Sequence, residues 1–221
     1  MKYCLNEVDY TIEKIVHRIK NTDLIPSIEP IKNNLEQNMN ILKNKGIDNL
    51  AELRKIFKNK NKMADFAKEV GIDGNYMILL RREIEGWIPK IIKIKELKTI
   101  SKNTVEMLEK MDINTVDKIF NLWQIKNEEE KILKEFKNEL NELETVFKMS
   151  DLSRIRWVSP VVAQILLELG YDNPKKISEA NVEKLYKDFD KLNIEKRYFK
   201  GKIGLRDINR VISEAKFVSE N

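Results

Sequence analysis

LSRIRWVSPVVAQILLELGYDNPKKI, residues 152–177, is the stretch that decides the fold. The apolar Ile155 precedes a short hairpin, after which Ser159 stands where a helix N-cap belongs, Pro160 at the first helical position and Gly170 just past the last. A serine hydroxyl accepts from first-turn amides, a proline there lacks only an amide the helix would orphan, and glycine takes the left-handed conformation that closes a helix. Between these signals Ala163, Ile165 and Leu166 form one apolar face, and Pro174 and Ile177 open a second short helix that packs back on the first.

The same register occurs twice more. LKNKGI (42–47), LEKMDI (108–113) and LLELGY (166–171) align, with an apolar residue 15 positions before each Gly or Asp: Ile31 before Gly46, Leu97 before Asp112, Ile155 before Gly170. Met39, Ile41 and Leu42 correspond to Val105, Met107 and Leu108 and to Ala163, Ile165 and Leu166; Leu50 and Leu53 correspond to Val116 and Ile119. A repeated pattern of this kind marks a repeated helical pair. In the second copy Ser101 is the cap and Asp112 replaces the closing glycine, a residue that visits the left-handed region more readily than most. The first copy has Leu35 at the cap position and is the least regular.

Amphipathic helices fill the intervals. Ile12, Ile15, Val16 and Ile19 make a stripe over 11–20; Met63, Phe66, Ala67 and Val70 another, ended by Gly71; and Asp73 caps a helix carrying Tyr76, Leu79, Leu80 and Ile84, ended by Gly86. Asn127, followed by Glu128, Glu129 and Glu130, opens what reads as the longest helix, striped by Ile132, Leu133, Phe136, Leu140, Leu143 and Phe147. The last two helices follow Ser178 and Gly204. The fold class is therefore all-α, with an N-terminal helical extension over 1–26, a first helical subdomain over 27–126, and a second over 127–221 that holds the clearest pair at 152–177.

Composition agrees. Of 221 residues 42% are hydrophobic and 35% charged, with only 7 Gly and 5 Pro, a balance for a globular helical chain and against a disordered tail. The most apolar run, 84–94, is interrupted by Glu85, Gly86, Pro89, Lys90 and Lys93, so no membrane span is expected. Residues 1–10 lack the apolar core of an export signal, and a lone cysteine, Cys4, forms no intrachain disulfide, which fits a cytoplasmic protein. The net charge of +5 is uneven: residues 1–110 hold 21 basic and 16 acidic side chains, residues 111–221 hold 20 of each. Such a balance permits a polyanionic partner and equally suits an ordinary lysine-rich surface.

Little supports catalysis. His17 and Cys4 are the only residues of their kinds, too few for a His/Cys metal site or a nucleophile with its base, and no glycine-rich phosphate loop occurs. Glu128 to Glu130 already have a role opposite the helix dipole. No catalytic residue, metal, cofactor or small-molecule substrate is expected.

The repeated unit resembles the helix-hairpin-helix motif, in which an apolar residue, a Gly-hydrophobic-Gly hairpin, a helix and a closing Gly-Ile follow in order. Residues 63–217 are also similar to a bacterial family of uncharacterised domains with tandem hairpins, through EVGI (69–72), DLSRI (151–155), LLELGYDN (166–173) and EAK (214–216). The resemblance implies a fold more than an activity. In DNA-binding members of the motif, hairpin amides hold a phosphate and the glycines permit its approach. Here those positions read Trp157-Val158-Ser159, Thr99-Ile100-Ser101 and Asn33-Asn34-Leu35, so both glycines are missing each time. Ser101 beside Lys102 keeps a hydroxyl and a cation that could still hold one phosphate.

Two basic clusters offer another route to nucleic acid: Arg54, Lys55, Lys58, Lys60 and Lys62, and Lys196, Arg197, Lys200, Lys202 and Arg206, the latter with Tyr198 and Phe199. A basic loop with aromatics can follow a phosphate backbone and stack bases, and the same composition suits a solvated loop whose aromatics pack inward. Trp87, Trp123 and Trp157 read as core before interface anchors. The expectation is a non-enzymatic binding or scaffold protein that contacts DNA or RNA without strong sequence specificity; the alternative is a protein-protein adaptor whose hairpins serve packing. A continuous basic stripe across the hairpins favours the first, and cations around an apolar patch favour the second.

Overall fold

Eight residues with short polar side chains set the helix starts. Thr11, Asn49, Asn59, Asp73, Ser101, Ser159, Asn173 and Asn181 each precede a helix and accept a hydrogen bond from an amide of its first turn. A computed structural model describes residues 2–220, and among them thirteen α-helices and no strand occur. By packing, the chain divides into two compact units: residues 5–88, and residues 89–220 together with residues 2–4.

The smaller unit contains α1 (Ile12–Asn21), a 3-10 turn (Glu29–Lys32), α2 (Leu35–Asn44), α3 (Leu50–Phe57), α4 (Lys60–Val70) and α5 (Gly74–Glu85). Its core is aliphatic, with Ile15, Ile19, Ile31, Met39, Leu42, Leu50, Leu53 and Leu80 all buried. Tyr10 and Arg18 both pack on the ring of the buried Trp87, whose indole N–H donates to the Glu83 carboxylate at 2.9 Å.

In the larger unit a 3-10 turn (Ile94–Glu96) leads to α6 (Lys102–Lys110), α7 (Val116–Trp123), α8 (Lys126–Glu135), α9 (Leu140–Leu152), α10 (Pro160–Glu168), α11 (Pro174–Ser178), α12 (Val182–Lys196) and α13 (Leu205–Glu220). Tyr3 is tied into this unit: its amide donates to Asn121 Oδ1 at 3.0 Å, its hydroxyl to Lys90 O at 3.2 Å, and its ring meets Phe120 edge-on.

The three aligned segments are helical pairs closed in one way: α2–α3, α6–α7 and α10–α11. In each, the amide of the residue after the turn reaches back five residues: Ile47 to Leu42 O at 3.2 Å, Ile113 to Leu108 O at 2.9 Å, Tyr171 to Leu166 O at 2.9 Å. The residue before it is left-handed each time, Gly46 at φ 79°, Asp112 at 58° and Gly170 at 85°. A fourth closure joins α4 to α5, where Ile72 N donates to Ala67 O at 2.9 Å and Gly71 has φ 72°. The sequence reading missed it because its cap, Asp73, follows the glycine by two residues and not three. The anchors Ile31, Leu97 and Ile155, and the helix residues Leu42, Leu108 and Leu166, are all buried.

Three local expectations change. The stripe from Asn127 to Phe147 is two helices: the chain leaves α8 at Phe136 and re-enters at Leu140. Ile132, Phe136, Leu143 and Val146 share one core, but Leu140 is 44% exposed, a phase change that an unbroken helix could not accommodate. The cap after Ser178 is Asn181, because residues 174–178 form their own short helix. In the first pair the helix starts one residue earlier than its counterparts. Asn34 is its left-handed N-cap and Leu35 is buried in the first turn.

An added Cβ at Gly46, Gly71 or Gly170 meets nothing within 4 Å, so alanine at any of them adds only left-handed strain, about 1–2 kcal/mol. Urea denaturation should show a loss of that size for Gly170→Ala. Asp112→Gly should shift the unfolding free energy the other way, by under about 1 kcal/mol, since unfolded-state freedom and loss of the exposed ion pair between Asp112 and Lys118, 2.9 Å apart, offset part of the relief.

Candidate binding surfaces

A helix start without a neighbouring carboxylate leaves amides and dipole available to an anion. The start of α6 is not in that condition. Glu142, in the first turn of α9, accepts from the Ser101 hydroxyl at 2.7 Å and from the Ser101 amide at 3.2 Å. Asn103, in the first turn of α6, donates to Glu139, the residue that precedes α9, at 3.3 Å. Hydrogen bonds from Thr104 and Ser101 hold the Glu142 carboxyl below the usual carboxylate range. An internal carboxylate thus sits where Ser101 would meet a phosphate. Lys102 points away, 91% exposed and beside Glu106.

At the third hairpin the Ser159 hydroxyl accepts from the Val162 amide at 3.3 Å. Trp157 adopts φ 67°, a left-handed conformation that costs a bulky residue energy, so the backbone geometry of a glycine persists under the largest side chain. Its ring is 41% exposed, with the Arg156 guanidinium 4.4 Å from the centroid. The other two tryptophans pack internally, Trp87 as described and Trp123 stacked on Phe147 at 4.8 Å.

The two basic clusters differ in how much charge they leave available. Arg54 is committed: its Nε and Nη2 hold both oxygens of Glu85 at 3.0 Å and its Nη1 holds Glu7. Lys55, Lys58, Lys60 and Lys62 are exposed and make no ion pair among the described residues. In the second cluster Lys196 pairs with Glu168 at 2.5 Å, and the Tyr198 hydroxyl donates to the same carboxylate. Arg197 caps α12 in a left-handed conformation. Lys200 and Lys202 are exposed in the following loop, which the buried Asn193 holds through Phe199 and Gly201, and Arg206 lies exposed in the first turn of α13. Phe199 meets Phe189 in the core, so one of the two loop aromatics packs inward.

A groove of about 760 Å³ runs between α4 and α5. Met63 and Ala64 of α4 and Met77 and Ile78 of α5 form its floor, and Lys60, Arg81 and Arg82 its rim. Arg81 and Arg82 were not singled out in sequence. The run Tyr76-Met77-Ile78-Leu79-Leu80 carries apolar residues around more than one helix face, which is the signal that α5 has a second surface to cover. No group of three or more His, Cys, Asp or Glu side chains positioned for a metal ion occurs among the described residues. Among them also, no helix is long and apolar enough to cross a membrane.

Because the folded carboxyl of Glu142 titrates below its unfolded value, its contribution to stability is present above the unfolded pKa and is lost as pH falls through the folded one. Denaturation of Glu142→Gln beside the parent chain should therefore show the largest difference near neutral pH and convergence in acid. A difference that persists unchanged to acid pH would contradict the carboxylate's role at Ser101.

No curated protein and no solved structure matches the chain. A family match covers residues 98–218, more than half of the chain and wholly inside the larger unit; the EVGI stretch at 69–72 lies outside it. The second and third helical pairs fall in the match, the first pair and the α4–α5 groove do not, and the chain belongs to the family described as Domain of unknown function (DUF4332).

Proposed function

We propose that this chain is a non-enzymatic, cytoplasmic binding protein built on degenerate tandem helix-hairpin-helix units, and that its main partner is a protein. The observation that carries this is the α4–α5 groove, whose apolar floor is bordered by cations that form no ion pair among the described residues. Desolvating apolar surface is what protein partners gain from, whereas a nucleic-acid backbone needs cations alone. The missing hairpin glycines and the Glu142 carboxylate at Ser101 support the same reading, since both work against a phosphate at the hairpins. The four shared closures support the helix-hairpin-helix derivation and give the hairpins a packing role.

A second reading, nucleic-acid binding without sequence preference, draws support from Lys55, Lys58, Lys60 and Lys62, four exposed lysines with no ion pair among the described residues. Titrating labelled duplex and single-stranded DNA and RNA with the full chain separates the two. A protein-binding role predicts dissociation constants weaker than about 100 µM at roughly 0.15 M salt, outside the range of sequence-independent nucleic-acid binders. Affinity of about 100 µM or tighter, falling steeply with salt and reduced by charge reversal at Lys55, Lys58 and Lys62, would overturn it in favour of nucleic acid.

A further inference from the structure

Resting on the protein-partner reading, we propose that the α4–α5 groove is the docking site for an acidic amphipathic helix of that partner. The groove has the form a helix requires. Along α5 the lining residues Gly74, Met77, Ile78, Arg81, Arg82 and Glu85 follow the three-and-four spacing of a single helix face, and Lys60, Met63 and Ala64 do the same on α4. At 1.5 Å per residue the α5 face is roughly 16 Å long, the length of about three turns of a partner helix. The α5 ridge, with the first turn of α4 beside it, accepts a third helix by its apolar stripe.

The floor is apolar and adaptable. Met63 and Met77 are buried, and methionines repack at low cost, while Ile78, at 47% exposed, is an apolar side chain the unit itself leaves partly in water. The charge around the floor selects the partner's flanks. Lys60, Arg81 and Arg82 form no ion pair among the described residues. Both acids that line the groove are already engaged: Asp73 accepts the Tyr76 amide at 2.8 Å as the cap of α5, and Glu85 holds Arg54 through two bonds. An incoming helix therefore meets available cations and committed carboxylates. Glutamates or aspartates beside its apolar stripe complement that rim, and lysines repel it.

The experiment uses the full chain and a fluorescein-labelled 16-residue peptide with leucines at helical three-and-four spacing flanked by glutamates. Its controls are a scramble of the same composition and a version with lysine in place of glutamate. The expected result is at least tenfold tighter binding of the acidic amphipathic peptide than of either control, with amide NMR shifts confined to α4 and α5. Ile78→Asp should weaken it at least tenfold, and the charge reversal Lys60→Glu with Arg82→Glu should both weaken it and improve binding of the lysine version. These three side chains are exposed, and an unchanged thermal transition by circular dichroism confirms that each variant is folded.

Equal binding of peptide and scramble, or insensitivity to both variants, would overturn the proposal. So would displacement of the peptide by duplex DNA at equimolar phosphate, sedimentation with phosphatidylserine vesicles that Ile78→Asp abolishes, or a dimer by light scattering that Ile78→Asp dissociates. Weak nucleic-acid affinity combined with a failed peptide would sink the acidic helix while leaving a protein partner standing; nucleic-acid affinity of about 100 µM or tighter would sink both.

Discussion

The hydrogen bond that runs back five residues across each left-handed turn is the constraint on which the rest of the structure depends. It satisfies a carbonyl at the end of one helix, fixes the chain's exit angle, and delivers the next cap to its position. From Leu42, Leu108 and Leu166, which supply the carbonyls and are fully buried, the same bond ties turn geometry to the core. Deep burial at these positions makes the turn cooperative with packing. A helix of 8 to 10 residues, the length of α2, α3, α6 and α7, is marginal alone and holds because its apolar face is seated this way.

Electrostatics then decides which surfaces remain available for binding. Arg54, Lys196 and Ser101, three of the positions that attract attention in the sequence, are each engaged by a carboxylate from another element: Glu85, Glu168 and Glu142. Such contacts are modest in energy at an exposed surface, but they remove charge that a ligand would otherwise meet. On α3 and α4 they leave Lys55, Lys58, Lys60 and Lys62 exposed, and Lys60 with Arg81 and Arg82 borders an apolar trough. The proposed binding surface therefore lies away from the three hairpins, on a helix face outside the region matched by the family.

Much of the architecture was legible in the amino acids. Ser159, Pro160 and Gly170 act as cap, first residue and closure, Ser101 caps α6, and Asp112 takes the left-handed position in place of glycine. These are local properties, and short-range chemistry reveals them. The break between α8 and α9 was not legible, because no proline or glycine marks it and the apolar stripe runs on through Phe136 and Leu140; only the tertiary core decides which of the two is buried. The site was less legible than the fold. Basic runs and a serine cap are visible in sequence, but the carboxylates that engage them lie 28 to 41 residues away in the chain, as with Lys196 and Glu168, Arg54 and Glu85, or Ser101 and Glu142. Arg81 and Arg82 carry no distinguishing signal in the sequence, because only the packing of α4 beside α5 places them on the rim of the groove.

Native-state hydrogen exchange at the four closing amides, Ile47, Ile72, Ile113 and Tyr171, tests most directly the claim that these turns are packing elements and not open binding loops. If the account is right, all four exchange only through unfolding of the unit that holds them, with protection equal to that of amides inside the flanking helices. Exchange at the rate of the exposed loop around Lys200 to Lys202 would contradict it.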